Sequence, residues 1–316
     1  MSLKLGAQVL TYGSSWPEAL DTARLVDRLG YDYLWGHDHL YSTGGDPYQA
    51  FFEGWTTLAG WAQATSQVRL GLLVGANTFR NPGVVAKMAV TIDHISGGRS
   101  ILGLGAGNVE FENRAHGIDP GKTLGQRLDW FEEAMAIVVD LLAGREVTHH
   151  SEKYQFDRVR HAPRPLQERV PVVIGAEGEK RGLRLAARHA DIWQWFAGTD
   201  QVELFRHKDR VLREHCESEA RDQSQIERMI GCKFIMRSDP AAAHQVAEEL
   251  IAVHKWPAGI WDVVWAGTPQ QVADWLTPFV EAGAGSFSPQ IGWPYDHETI
   301  ERLIGEVKPL VDARTG

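Results

Sequence analysis

Strand-like and helix-like segments alternate along this chain, and that alternation constrains its fold more than any other feature. Leu3-Lys4-Leu5-Gly6-Ala7-Gln8-Val9-Leu10 has the two-residue period of a half-buried strand. Ser15-Trp16-Pro17-Glu18 is a capping box with Pro inside the first turn, and Leu20, Ala23 and Val26 keep helical spacing up to Gly30. Residues 31–36 and 68–74 read as the second and third strands. Asn81-Pro82 opens a helix with Val84, Val85, Met88, Ile92 and Ile95 on one face, closed by Gly97-Gly98. Residues 100–104 make a fourth strand. Thr123-Leu124-Gly125-Gln126 is a second capping box, before a helix carrying Leu124, Leu128, Phe131, Met135, Val138 and Leu142. Strands are expected again at 170–174, 191–196, 230–236 and 286–290. The intervening helices carry Leu183 and Ala186; Val272, Leu276 and Phe279; and Ile300, Leu303, Ile304 and Val307.

Eight strands separated by helices require a parallel sheet, and the count and length favour closure. The expected fold is α/β: a single (β/α)8 TIM barrel over residues 1–316. It has insertions after the fourth helix (146–169) and before the eighth strand (240–266). The first holds Pro163 and Pro165 and is expected to form a hairpin or excursion able to cover the barrel mouth.

Hydrophobic residues make up 43%, enough for a sizeable core. The chain has 41 acidic and 32 basic residues, a formal net charge of −9, which argues against nucleic-acid or anionic-membrane partners. No apolar run approaches the ~18 residues of a membrane span. The start, Met1 to Gln8, lacks a basic stretch followed by an apolar core. The two cysteines, Cys216 and Cys232, form no CxxC pair, so a cytoplasmic setting is expected. Of twelve tryptophans, Trp35, Trp193, Trp195, Trp261, Trp265 and Trp293 fall outside helix-core spacing. They either fill the core or line a cleft for a flat aromatic ligand.

In a barrel, functional residues follow the strands. After strand two comes His37-Asp38-His39. The two imidazoles point one way along a strand and Asp38 the other. A metal pair, aromatic packing and an acid/base His oriented by a carboxylate are all open readings, and the last leads. The metal reading needs His or Asp at later strand ends, where Gly175, Trp195-Phe196 and Ser288-Pro289-Gln290 stand instead. Gly75-Ala76-Asn77-Thr78-Phe79 after strand three is a tight turn or a place where a ligand meets the backbone, with Asn77 a candidate cofactor contact. Gly103-Leu104-Gly105-Ala106-Gly107-Asn108 fails the dinucleotide fingerprint, because Asn108 and Glu110 occupy the positions of its last Gly. Gly175-Ala176-Glu177-Gly178-Glu179-Lys180-Arg181 leads into a helix and suits an anion, with Lys180 and Arg181 available to assist.

Together these segments resemble the bacterial luciferase-like monooxygenase superfamily, in its coenzyme F420-dependent oxidoreductase branch. The resemblance rests on Gly30-Tyr31-Asp32-Tyr33-Leu34-Trp35 with Asp38-His39; on Val68-Arg69-Leu70-Gly71 and Asn81-Pro82; and on Asp93-His94-Ile95-Ser96-Gly97-Gly98-Arg99. It continues through Gly103 to Gly107, Pro171-Val172-Val173-Ile174-Gly175, and Gly267-Thr268-Pro269 with Ala282-Gly283-Ala284. It implies hydride transfer between deazaflavin F420 and a small organic substrate. FMN, in a monooxygenase served by a reductase, is the alternative cofactor, and a metal-dependent barrel hydrolase the alternative of another class. A homodimer is implied. His39 would be the acid/base, with Asp38 beside the ring and Leu73-Val74 forming a bulge, often a non-proline cis peptide, behind it. Gly105, Gly107 and Asn108 would line ring and tail, and Gly175, Ala176, Glu177 and Gly178 would hold the phosphate. Asn108 stands where sugar-phosphate dehydrogenases of the branch carry an acidic residue. It joins the catalytic set with its proton-transfer role open, and Glu110 and Glu112 lie nearby but out of register.

Overall fold

The computed structural model describes residues 2–256 and 258–316. Met1 and Pro257, which belong to the N-terminal reading and the second insertion, lie outside the described residues. The first half runs β1 (Lys4–Val9), α1 (Trp16–Arg28), β2 (Tyr33–Gly36), α2 (Gly54–Ala64), β3 (Arg69–Leu72), β4 (Gly75–Ala76), α3 (Pro82–Ser96) and β5 (Leu102–Gly105). Next come α4 (Glu110–Ala115), α5 (Leu124–Leu142), β6 (Val147–His150), β7 (Gln155–Val159) and β8 (Val172–Gly175). The second half holds α6 (Gly182–His189), β9 (Ile192–Phe196), α7 (Val202–Ser218), β10 (Glu227–Met236), α8 (Pro240–His254) and β11 (Val264–Gly267). It closes with α9 (Pro269–Glu281), β12 (Ser286–Ile291), α10 (His297–Arg302), a π-helical turn and α11 (Lys308–Thr315).

The strands order β3-β2-β1-β12-β10-β9-β8-β5-β4, all parallel along this path. β3 and β4 are two pieces of one barrel strand, split at Leu73–Val74, whose peptide bond is cis. The path therefore returns on itself as an eight-membered barrel, sealed where β4 pairs β5 and Leu70 bridges Ser100. Glycine makes this seam possible. A Cβ at Gly103 would lie 1.8 Å from the Leu72 carbonyl oxygen, and one at Gly71 would lie 2.3 Å from that of Ile101.

Local signals explain the helix ends. Ser15 and Glu18 close a full capping box on α1, as Thr268 and Gln271 do on α9. Asn81 accepts from the Gly83 amide at the start of α3, and Gly97 ends it in the left-handed conformation. Thr123 accepts from the Gln126 amide, but the Gln126 side chain turns to the Lys122 amide, so that box is half formed. Two α3 positions depart from the expected face: Val84 and Ile95 are exposed, while Val85, Ala89 and Ile92 are buried.

Apolar packing lies in two main zones, with a smaller third one where Ala243 and Ala247 of α8 meet Ile235, Val264 and Ala266. Tyr33, Trp35, Leu73, Ile101, Val173, Ile192 and Met229 fill the barrel interior, and a larger cluster fills the layer between strands and helices. Trp35, Trp193 and Trp265 are fully buried, which makes them core, while Trp261 is partly exposed.

The first insertion is an antiparallel hairpin, β6 with β7. It does not cover the mouth: it packs along the outside of the barrel. Buried Asp93 on α3 accepts from the Leu166 and Gln167 amides at 2.7 and 3.2 Å, and the Arg164 guanidinium donates to the last carbonyls of the α5 end. The second insertion contains α8 and also β11, a short strand beside β10.

Candidate active site

The loops after the barrel strands enclose a cavity of about 500 Å³. His37, Asp38 and His39 reach it from β2, as the strand's alternation requires for the two imidazoles, whose rings sit 4.2 Å apart edge to face. They differ in what holds them. Glu112, on α4, places Oε1 2.6 Å from His39 Nδ1, and its Oε2 accepts from the Leu40 and Tyr41 amides at 2.7 and 3.4 Å. Glu112 is 2% exposed, so this carboxylate acts in a dry setting. His39 Nε2 makes no hydrogen bond among the described residues and belongs to the cavity wall.

His37 is half-buried beside Phe51, and its buried Nδ1 has no partner among the described residues. Burial, then the neighbouring His39 and Lys233, hold its pKa well below the ordinary value, so it is a neutral ring.

Asp38 points its carboxylate away from the imidazoles. Arg80 grips it at 2.8 and 3.0 Å, the Ala76 amide donates at 2.9 Å, and Arg80 also donates to Glu53. Burial pushes the Asp38 carboxyl above its usual value, and Arg80 with the Ala76 amide pulls it back. Burial also works against the Arg80 charge, but Asp38 and Glu53 outweigh it. Asp38 is thus a strut that ties the end of β2 to the turn after β4.

Across the cavity, Gly105, Gly107 and Asn108 follow β5, and Gly175, Ala176 and Glu177 follow β8. Val74 stands between them. A Cβ at Gly105 would be 2.8 Å, and one at Gly175 3.2 Å, from Val74 Cγ2. Leu73 and Val74 both line the wall. Three glutamines, Gln8, Gln194 and Gln290, also line it, and Gln8 donates to the Leu73 carbonyl. Trp195 and Phe196 supply its apolar side.

Two expected contacts lie off this wall. Asn77 is buried, and its Nδ2 donates to the Tyr154 hydroxyl at 3.1 Å, so it anchors the hairpin tip. Gly178 stands at the entry to α6, with its carbonyl accepting from the Leu183 amide. Arg181 is not available to an anion there, because Asp129, Glu132 and the Gly125 carbonyl engage it. Lys208, on α7, reaches the loop at 3.0 Å from the Glu177 carbonyl, and it too is engaged, by Glu179 at 2.9 Å. Among the described residues, no group of three or more His, Cys, Asp or Glu side chains is placed to hold a metal.

Glu112, Arg80, Gln8 and Lys208 are the site residues that the motif reading did not select. Glu112 carried one signal, an acidic residue four places after the glycine-rich turn, but only the fold brings it to His39.

A sequence model of the luciferase-like monooxygenase family matches residues 2–257. An uncharacterized protein of Mycobacterium tuberculosis is 29% identical over 186 residues, 54% of this chain. The chain spans 64% of that relative's length, just under two thirds. An F420-dependent glucose-6-phosphate dehydrogenase of Kineococcus radiotolerans is 30% identical over 247 residues, 76% of this chain and 70% of its own. Among solved structures, an F420-dependent secondary alcohol dehydrogenase superposes with TM-score 0.84 at 20% identity, covering 98% of this chain and 99% of the other. A long-chain alkane monooxygenase superposes with TM-score 0.82 at 16% identity, covering 99% and 92%. Both likenesses show the same barrel, and the family match over most of the chain decides the rest: this protein belongs to the luciferase-like monooxygenase family.

Proposed function

We propose that this protein is an F420-dependent oxidoreductase acting on a small organic substrate, with His39 as its acid/base. The observation that carries this reading is the His39–Glu112 pair at the edge of the strand-end cavity. The residues present fit a flat ring: the wall at Val74 is open because Gly105 and Gly175 lack side chains that would fill it. The relatives named for F420 support the deazaflavin over FMN.

When bound, the deazaflavin supplies hydride exchange with a substrate carbon. Val74, Gly105 and Gly175 would back the ring, Gly107 and Asn108 would flank it, and Ala176 and Glu177 would meet the phosphate end. The protein moves the proton. Glu112 accepts the Nδ1–H of His39, which fixes the tautomer and leaves Nε2 to exchange a proton with the substrate oxygen. The buried carboxylate stabilises the imidazolium formed when Nε2 takes that proton. Asp38, locked by Arg80, keeps the His39 segment in place. Asn108 offers an amide but no proton-transfer group, so Glu112 supplies the carboxylate at this edge of the site.

Parallel titrations with F420 and FMN test the reading. F420 should bind with a Kd of about 1 µM or tighter. Tight FMN binding without F420 binding would overturn it in favour of a flavin monooxygenase.

A further inference from the structure

The barrel interior holds a second group of ionisable side chains that this proton transfer does not use. Along β10, alternate residues face inward: Met229 joins the interior cluster, and a Cβ at Gly231 would stand 2.7 Å from Gln194 Nε2 and from Phe196 Cδ2. Lys233 continues that register toward the strand ends and is 8% exposed. Its Nζ donates to Gln290 Oε1 and lies 5.5 and 4.7 Å from the ring centroids of Phe196 and Trp256.

No carboxylate pairs with Lys233 among the described residues. Asp296 shares its cleft but is taken by Arg237 at 3.0 and 3.1 Å and by the Thr299 hydroxyl at 2.6 Å. The cleft has a volume of about 30 Å³ and is otherwise walled by apolar residues such as Phe234, Leu250 and Ile251. That is room for about one or two water-sized groups. His254 stands in the same cleft, 2% exposed, and its Nε2 has no hydrogen-bond partner among the described residues. Gly292 leaves space beside that nitrogen, since a Cβ there would lie only 3.0 Å away. Gln290 lines both this cleft and the central cavity, which makes the two spaces neighbours across one side chain.

A buried ammonium without a counter-ion, beside an imidazole nitrogen without a partner, is costly unless a ligand supplies negative charge. The surroundings lack such charge. Burial brings Lys233 down to about 7, with the Cys232 thiol opposing. Burial and then Lys233 bring His254 down to about 4, and His37 is depressed in the same direction.

We propose that Lys233, Gln290 and His254 form a subsite for a carboxylate carried by the substrate, reached from the central cavity. A planar, singly charged head suits the volume and the three donors: the ammonium, the Gln290 amide, and His254 as its Nε2–H tautomer. A phosphate needs more room and more donors than the cleft offers. The proposal rests on the central cavity being the substrate site and adds the substrate class.

Benzoate and its neutral isostere benzamide are the probes, measured by calorimetry on the wild-type protein and on Lys233→Met. Wild type should bind benzoate about tenfold or more tightly than benzamide, and Lys233→Met should lose that preference. Methionine keeps the stem and removes a buried charge that has no partner, so the variant should fold. A second measurement needs no variant: wild-type benzoate affinity should fall about tenfold per pH unit above about pH 7, as Lys233 loses its proton. Equal binding of the two probes, no benzoate binding, an unchanged preference in Lys233→Met, or a flat pH response would each overturn the proposal. The F420 titration of wild type decides the cofactor reading separately.

Discussion

Glu112 Oε1 lies 2.6 Å from His39 Nδ1 although 73 positions separate the two residues. The contact commits one ring nitrogen of an imidazole at a strand end and leaves the other free of protein partners among the described residues, which is the arrangement the proposed proton transfer needs.

Two substitutions follow from it. His39→Ala removes the carrier and should lower turnover by roughly 10²–10⁴ with F420 binding retained. Glu112→Gln keeps the shape but removes the negative charge and one of the two oxygens that accept from His39 and the Leu40 amide, and should lower kcat by roughly 10–10². The check is steady-state F420 turnover beside an F420 titration; full activity in either variant contradicts the assignment.

The Arg80–Asp38 pair should matter for stability first. Arg80→Met leaves the Asp38 carboxylate buried without its bidentate partner. The expected loss is about 3–5 kcal/mol, as for breaking a buried ion pair from one side. Adding Asp38→Asn should recover part of it. Urea midpoints of the two single variants and the double variant give the comparison, and strict additivity would mean that the pair is not coupled.

The strand-three seam predicts a contrast between glycines. Gly103→Ala would set a Cβ 1.8 Å from the Leu72 carbonyl oxygen, a backbone atom that cannot turn aside. The cost should be about 3 kcal/mol or more. Gly30 has φ +78° and open space around its Cβ position, so Gly30→Ala should cost only about 1–2 kcal/mol from backbone conformation. Thermal unfolding should rank the two in that order.

Stability should fall on mild acidification. Burial lowers His189 and His254 to about 4 in the folded protein, against the ordinary 6.5 of a free imidazole. Between those values the unfolded chain binds protons that the native state refuses, so stability rises with pH there and is lost as pH falls from 6.5 toward 4. Urea midpoints across this window should drop, and His189→Phe should flatten the slope. A wild-type midpoint constant over the window contradicts the expectation.

Much of the barrel was legible from short-range signals. Strand period, capping residues and terminal glycines act within a few residues, so β1, α1, α3, α9 and β12 fall close to where the pattern sets them. The errors have equally local causes. Val84 and Ile95 fit an apolar stripe by spacing, but the helix turns its other positions to the barrel. The polar hairpin of 146–169 shows no sign in its sequence of which surface it covers, and Asp93 on α3 decides that.

By itself, then, the sequence determined the alternating strands and helices, the glycines at the close approaches, and the family to which they belong. The tertiary structure alone decided which charges meet. His39 finds Glu112, Asp38 finds Arg80, and Lys233 finds no carboxylate among the described residues, because each pairing depends on how separate strand ends and loops converge at one mouth. No local pattern encodes that convergence, since hydrogen bonds and ion pairs act over a few ångströms of space whatever their separation along the chain.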